Sequence, residues 1–337
     1  VGTVPSFDEL AVNTGSAFQE PEGAFKPHGD GHPALQDPIV RRAIRMSISS
    51  DELVERVLLG YGVPGDSIVP PVSIEGARWE PSEEERIPFD LEGAAQMLED
   101  AGYVDTDGDG VREMPNGGEP LEFRYYTQTN DQNTIKTAPF VRGWLEDVGI
   151  AVDVTAMSSG RLGDEINAGT YDLFHWGWIP DPDPDTILGN FTCGDRPPNA
   201  QTYGDNDAYY CNPEYDALYE EQLTILDPAR RLELMHELQR IYYQDAAYSV
   251  LWYLPLFQGY RTDRFTGYRP QPAPNGDLLT GYSRDAMLTL RPVGAGTAVR
   301  ETKGIPPAVW IGVAAGVVVL ILVVAMIRRR GGAEDRA

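Results

Sequence analysis

One short segment of the chain brings together two tryptophans and three aspartates. Trp176 and Trp178 are followed by Asp181, Asp183 and Asp185, and prolines alternate with the aspartates. Carboxylates on a backbone stiffened by proline can accept charge-assisted hydrogen bonds from an ammonium group, while neighbouring indoles stack on the same ligand. The alternative is structural: the indoles pack in the core and the aspartates cap the next helix. Both interpretations stay open on the residues alone.

A second acidic segment matches the start of a calcium-binding loop. Asp105, Asp107 and Asp109 stand at positions 1, 3 and 5 of such a loop, and a glycine occupies position 6, where the backbone must turn. Glu113 falls at position 9, but Asn116 stands at position 12, where the loop normally has a bidentate glutamate. Two interpretations follow, a structural Ca²⁺ site with the three aspartates as ligands and an acidic turn without metal.

The two cysteines, Cys193 and Cys211, lie in a stretch rich in loop-forming residues. In a domain outside the cytoplasm such a pair is expected to form a disulfide. Closing a loop of this size stabilises the folded state by about 3 kcal/mol in the chain-entropy model. Two unpaired structural thiols are the alternative.

No strong catalytic motif accompanies these segments. The chain has four histidines; His28 and His32 lie among glycines that disfavour a helix, so a solvated loop is favoured over a metal site. His175 and His236 are interpreted as structural. The sequence contains no GxSxG, HExxH or GxxxxGK[ST] motif. We therefore expect a protein that is not an enzyme and needs no catalytic cofactor.

The composition indicates a globular protein and excludes one class of partner. Of 337 residues, 42% are hydrophobic, which allows two lobes or one large domain with additional segments. Acidic residues number 52 against 27 basic ones, giving a net charge of −25. Such a surface repels phosphate backbones, so nucleic-acid binding is not expected.

The C-terminal part of the sequence predicts a membrane anchor. An uncharged apolar run over 308–327 is followed at once by three arginines. At about 1.5 Å per residue, a helix over this run spans about 30 Å, the hydrocarbon thickness of a bilayer. Because cationic flanks stay cytoplasmic, we expect a body outside the cell over 1–290, a linker over 291–307, one transmembrane helix and a cytoplasmic tail over 328–337.

Local signals predict the elements that must position the candidate residues. Helices are expected to begin after capping residues, three of which precede a proline and one of which opens a capping box: Asp37, Ser49, Asp90, Asp131, Asn212 and Asp227. Strands are expected where apolar residues alternate or run together, over 121–125, 150–154, 171–176 and 248–254. The β-α-β-α-β order over 121–176 predicts an α/β fold with a mixed sheet and crossover helices.

Several colinear segments resemble the family 5 extracellular solute-binding proteins, the oligopeptide- and dipeptide-binding proteins of ABC importers. The resemblance covers about residues 7–270 and is carried by HPALQDPIVRRAIRMSISSDELVERVLLGYGVPGDSIVPP, FDLEGAAQMLEDAGYVDTDGDGVRE, GWLEDVGIAVDV, YDLFHWGWIPDPDPDTIL and YCNPEYDALYEEQLTILDPARRLELMHELQRIYYQDAAYSVLWY. These segments look like the C-terminal half of such a protein. The chain opens without an export leader, so we expect a fragment or a chain trimmed at its front.

The resemblance implies a class II periplasmic-binding-protein fold, with residues 1–290 forming the second lobe and a return segment of an incomplete first lobe. It also implies that the protein binds peptides, or another small solute, and delivers them to a permease driven by ATPase subunits. In peptide-binding members an aspartate shortly after a Gly-Trp pair holds the α-ammonium group; the matching residue is Asp181, with Trp178, Trp176 and Asp183 as further ligand-binding candidates. A membrane-tethered solute sensor on the same fold is the alternative function.

Overall fold

The computed structural model describes residues 2–17, 25–71, 73–256, 259–269 and 288–294. The predicted transmembrane helix and cytoplasmic tail lie outside these residues, as does most of the predicted linker. Within the described ranges, no helix combines the length and the apolar character needed to cross a membrane.

A six-stranded sheet carries the elements around the candidate residues, and its strands are connected in the order β2-β6-β1-β5-β3-β4. The strands are β1 (Gly2–Val12), β2 (Val63–Pro64), β3 (Glu122–Gln128), β4 (Ala151–Met157), β5 (Leu173–Trp178) and β6 (Tyr248–Leu256). Strand β3 runs parallel to β4 and β5, whereas β1 runs antiparallel to β5 and β6. The predicted mixed sheet is therefore confirmed.

Among the described residues, helices begin after all six predicted capping residues, and two further helices lie between them. The helices are α1 (Pro38–Met46), α2 (Ser50–Arg56), α3 (Leu91–Asp100), α4 (Gln132–Asp147), α5 (Ser159–Ala168), α6 (Asp185–Gly189), α7 (Pro213–Thr224) and α8 (Pro228–Gln244). All six predicted caps accept a hydrogen bond from a backbone N–H in the first turn of the following helix. These side chains satisfy donors that the first turn leaves without a partner.

Both faces of the sheet are covered by hydrophobic clusters. Alternate residues of β1 enter different clusters, Leu10 one and Phe7 the other. The first cluster includes residues of α1 to α4, and the second includes residues of α5 to α8. Because successive side chains of a strand point to opposite faces, this division explains why the runs at β5 and β6 are apolar without alternation. The prediction that these two strands are covered on both sides is confirmed.

The chain divides into two compact units. The larger takes in residues up to Tyr260 together with Tyr268–Leu288, and the smaller takes in Arg261–Gly267 and the residues from Thr289 onward. In the smaller unit, β7 (Phe265–Thr266) pairs antiparallel with β8 (Arg291–Pro292). The candidate residues for ligand binding, the disulfide and the calcium loop all belong to the larger unit.

Candidate functional site

The candidate ligand-binding residues lie at the carboxyl end of β5 and directly after it. Because β3, β4 and β5 are parallel, their carboxyl ends meet at one edge of the sheet. The helices that follow β3 and β4 pack into different hydrophobic clusters, α4 into the first and α5 into the second. Open α/β sheets bind ligands at such an edge, where successive connections leave on opposite sides.

The two tryptophans are neither free on the surface nor fully in the core. Trp176 and Trp178 are half-buried and pack against the second hydrophobic cluster. In the register with β1 they lie opposite Glu9 and Phe7. The Nε1–H of Trp178 donates to the Tyr248 hydroxyl at 3.2 Å. The structural interpretation therefore holds for one side of each indole, while part of each side chain stays exposed.

Asp181 is exposed to solvent. In the described part of the chain its side chain makes one hydrogen bond, accepting from the Thr186 hydroxyl at 3.3 Å. This is a long bond to a neutral donor, so most of the acceptor capacity of the carboxylate is left for a ligand.

Asp183, in contrast, is already paired. Two guanidinium nitrogens of Arg231, on α8, donate to its two oxygens at 2.8 Å each. The same side chain accepts from the backbone N–H of Asp185 at 3.1 Å. These hydrogen bonds, that of Arg231 first, hold the pKa of Asp183 below its usual value. Asp185 is also engaged, since it accepts from Gln222 of α7 at 2.6 Å. The structure therefore separates Asp181 from the other two aspartates, and a ligand role of Asp183 stays a prediction.

Strand β1 places a further carboxylate beside a buried histidine of β5. Asp8 lies opposite Gly177 in the register with β5. Its Oδ2 is 3.6 Å from Nε2 of His175, which is fully buried and, among the described residues, has no hydrogen-bond partner on either ring nitrogen. Sequence reasoning missed Asp8 because nothing local shows that β1 inserts beside β5.

The predicted disulfide is confirmed between Cys193 and Cys211. Cys211 directly precedes Asn212, the cap of α7, and the backbone N–H of Cys193 donates to Asp216 of that helix at 3.0 Å. The bond thus secures both ends of the intervening loop next to the start of α7.

The acidic loop places its carboxylates together as the spacing predicts. Oxygens of Asp105, Asp107, Asp109 and Glu113 lie within 4.8 Å of one another. The Asp105 carboxylate accepts from the backbone N–H of Gly108 and Gly110, and these bonds lower its pKa. Oxygen ligands of this kind suit Ca²⁺, but exposed acidic turns have the same geometry without metal. The calcium site stays a prediction.

The fold is that of the periplasmic binding proteins. The oligopeptide-binding protein AppA of Bacillus subtilis, solved with a nonapeptide, superposes with a TM-score of 0.63 at 20% identity and covers 81% of this chain and 49% of its own. At that identity the similarity establishes the fold alone.

The sequence defines the family. Residues 5–198 match the model of the bacterial extracellular solute-binding proteins, family 5, middle region. Since this match covers more than half of the chain, the chain belongs to that family, and the resemblance seen in the sequence is confirmed.

Two curated relatives carry names that state a ligand. The glutathione-binding protein GsiB of Escherichia coli K12 is 26% identical over 224 residues, 64% of this chain and 39% of the relative. The di/tripeptide-binding protein 4 of Pseudomonas aeruginosa is 28% identical over 195 residues, 57% of this chain and 33% of the relative. The chain thus spans well under half the length of these relatives. They are named as binding proteins rather than enzymes.

Proposed function

We propose that this chain is part of the extracytoplasmic solute-binding component of an ABC importer and that its solute is a peptide. Membership of the family supports the solute-binding role, and the two relatives named for peptides support the ligand class. In this role the protein would deliver its ligand to a membrane permease driven by ATPase subunits, without catalysing a reaction itself.

The observation that carries the ligand assignment is the difference between Asp181 and Asp183. Asp181 is exposed and weakly bonded at the ligand edge, whereas Asp183 is neutralised by Arg231. A carboxylate between two prolines is pre-ordered, so it loses little entropy when it accepts from the α-ammonium group of a peptide. The exposed side of Trp178, three residues earlier, would contact the rest of the ligand.

We further infer that residues 308–327 tether the protein to the cell membrane with its body outside. The apolar run and the arginines that follow it support this arrangement, and the extracellular assignment of the family agrees with the location of the body.

Exchanging Asp181 for asparagine tests the ligand assignment. Asp181→Asn keeps the shape of the side chain but removes its charge, and losing one partner of a desolvated pair costs about 2–5 kcal/mol, or some tens- to thousands-fold in affinity. Calorimetry on the protein as the cell makes it should show this loss for a peptide with a free amino group. N-terminal acetylation of the peptide should produce a comparable loss in the unmodified protein.

Asp183→Asn is the matched control, because it removes an equal charge two residues away whose partner is Arg231. It should change affinity much less than Asp181→Asn does. Unchanged affinity in Asp181→Asn, together with indifference to acetylation, would contradict the ammonium site and favour a neutral solute held by the tryptophans.

A further inference from the structure

Two buried carboxyl groups, those of Glu9 and Asp207, lie near the tryptophans of the candidate site. Glu9 of β1 is fully buried, and, within the described residues, neither of its carboxylate oxygens has a hydrogen-bond partner. Asp207, in the loop before α7, is 5% exposed. Burying an ionised carboxylate without a partner is strongly unfavourable, so the pKa of Glu9 is raised well above its usual value, first by burial and then by the charges of Asp207 and Asp8. Burial therefore favours the protonated form of Glu9.

Asp207 differs from Glu9 because it has hydrogen-bond donors. The Tyr248 hydroxyl donates to its carboxylate, and the Tyr171 hydroxyl donates to its backbone carbonyl. Burial raises the pKa of the Asp207 carboxyl to about 7, against the lowering effect of the bond from Tyr248 and with a further rise from Asp205. The charge of the Asp207 carboxyl therefore changes within the physiological pH range.

A hydrogen-bond chain leads from Asp207 to the ligand edge. A tyrosine hydroxyl has one proton, and in Tyr248 this proton goes to Asp207. The oxygen of Tyr248 is then oriented to accept from Nε1–H of Trp178, at 3.2 Å. The Tyr248 ring is fixed by edge-to-face contacts with Phe191 and Tyr242, whose centroids lie 5.1 and 5.3 Å away. The edge of the Trp178 indole is thereby held by a group that depends on Asp207.

We propose that Asp207 and Tyr248 are positioning residues that orient Trp178 for solute binding, and that protonation of Asp207 weakens this arrangement. The proposal rests on the proposed function only where it gives Trp178 a role beside the solute. A hydrogen bond to an ionised acceptor is about twice as strong as one between neutral groups. Ionised Asp207 thus fixes Tyr248 and, through it, Trp178, whereas protonated Asp207 holds both less firmly.

Several other titratable groups interact with the pair and belong to the same electrostatic unit. They come from β1, from the strand-flanking loops, from α8 and from β6: Asp8, Tyr171, Asp205, Tyr209, Tyr242 and Tyr248. The pKa values of the fully buried tyrosines Tyr171, Tyr242 and Tyr248 are raised well above the usual value, first by burial and then by the charge of Asp207. They therefore stay protonated near neutral pH. His175, on β5, lies with its Nε2 3.6 Å from Asp8 Oδ2, and its ring packs against Trp252 of the first hydrophobic cluster. Asp207 is the carboxyl of this group whose pKa is raised to about 7.

Fluorine NMR of the full chain labelled with 5-fluorotryptophan tests the proposal without any solute. The chain has six tryptophans, and Trp178→Phe identifies the resonance of Trp178. This resonance should titrate with a midpoint near pH 7, the pKa of Asp207. The resonance of Trp144, in α4 and the first hydrophobic cluster, should stay constant over the same range and serves as the control.

Two conservative variants distinguish a titration transmitted through the Asp207–Tyr248–Trp178 hydrogen bonds from a general structural effect. Asp207→Asn keeps an oxygen that can accept from Tyr248 but cannot ionise, so the titration of Trp178 should disappear. Tyr248→Phe keeps the ring but removes the acceptor, so the Trp178 resonance should shift at every pH and lose its pH dependence. Because the titration is measured in the unmodified protein, and Trp178→Phe serves only to assign the resonance, misfolding of Asp207→Asn or Tyr248→Phe leaves this test intact. A constant Trp178 resonance in the unmodified protein, or a titration that survives in Asp207→Asn, would overturn the proposal.

A second measurement tests whether the Asp207–Tyr248–Trp178 hydrogen bonds affect the affinity for solute. For a free-amine peptide, the affinity of the unmodified protein divided by the affinity of Asp207→Asn at the same pH should rise roughly three- to tenfold from pH 6 to pH 8. This is the size expected when a hydrogen bond between neutral groups becomes charge-assisted. Taking the ratio removes the titration of the peptide itself. If this affinity ratio does not change with pH while the Trp178 resonance titrates, the coupling between Asp207 and solute binding is wrong. Absence of peptide binding at any pH, in protein whose Trp178 titrates, would instead contradict the proposed function.

Discussion

At the scale of single residues, the sequence singles out the segment from Trp176 to Asp185 as a candidate site but cannot assign roles within it. Asp181, Asp183 and Asp185 look alike in the sequence, because each is an aspartate beside a proline. What distinguishes them is Arg231, which comes from a helix distant in sequence and pairs with Asp183. A tertiary contact of this kind has no local signal, so only the structure shows that Asp183 is paired with Arg231 while Asp181, within the described residues, accepts from Thr186 alone.

The same limit applies to Glu9. A glutamate in an alternating strand is normally read as a solvent-facing residue, and the sequence gives no sign that its side chain is buried. The structure shows a residue with 0% exposure and, in the described ranges, no hydrogen-bond partner.

Glu9 and Asp207 should make the stability of the protein decrease as pH rises. Both carboxyls have a higher pKa in the folded state than in an unfolded chain, so the folded state binds the extra protons. Their contribution is fully present below the usual carboxyl pKa of roughly 4. For Asp207 it is lost as pH rises through about 7, its pKa in the folded state.

Replacing Glu9 with glutamine tests this effect. Glu9→Gln cannot ionise, so the free energy of unfolding should fall less between pH 5 and pH 8 than it does in the unmodified protein. Urea unfolding at the two pH values measures the difference. Glu55→Gln, at an exposed position of α2, is the control and should leave the pH dependence unchanged. An identical decrease in Glu9→Gln would show that Glu9 is not protonated in the folded state.

At the scale of elements, prediction was accurate where the signals were local. Each helix announced by a capping residue is present, because a cap acts on donors within three residues of itself. The strands after 120 were predicted for the same reason. Strand β1 was not predicted, because its position in the centre of the sheet depends on pairing with β5 and β6 rather than on its own sequence.

The disulfide should stabilise the loop that carries Asp207. Reduction breaks the bond between Cys193 and Cys211, so the unfolded chain gains conformational freedom. For a loop of this size the free energy of unfolding should fall by about 3 kcal/mol in the chain-entropy model. Urea unfolding with and without a reductant should show a loss of that order. A variant with both cysteines changed to alanine is the control, since reductant should not affect it. Equal stability of the oxidised and reduced proteins would contradict this role.

At the scale of the whole molecule, the family was evident from sequence because similarity is distributed over many segments rather than placed in one motif. The match over residues 5–198 confirms this. The ligand could not be identified at this scale, because the chain spans 39% and 33% of the lengths of the two curated relatives. A net charge of −25 is compatible with cationic and neutral ligands alike.

Protease treatment of intact cells tests the proposed membrane topology. Residues 1–290 should be degraded by a protease added outside, whereas the tail over 328–337 should be protected behind the membrane. Antibodies against an epitope in each part follow the two separately, and permeabilised cells provide the control in which both are degraded. Protection of the body together with loss of the tail would show the opposite orientation.

The place of β1 in the sheet also determines when the protein can complete its folding. Ala11 pairs with Tyr248 on one side and with Phe174 on the other, so β1 needs partners that are synthesised much later than itself. Contacts between such distant segments require closure of long loops, which slows folding. The central sheet therefore cannot assemble until β6 has left the ribosome, and the chain reaches that point without a finished core.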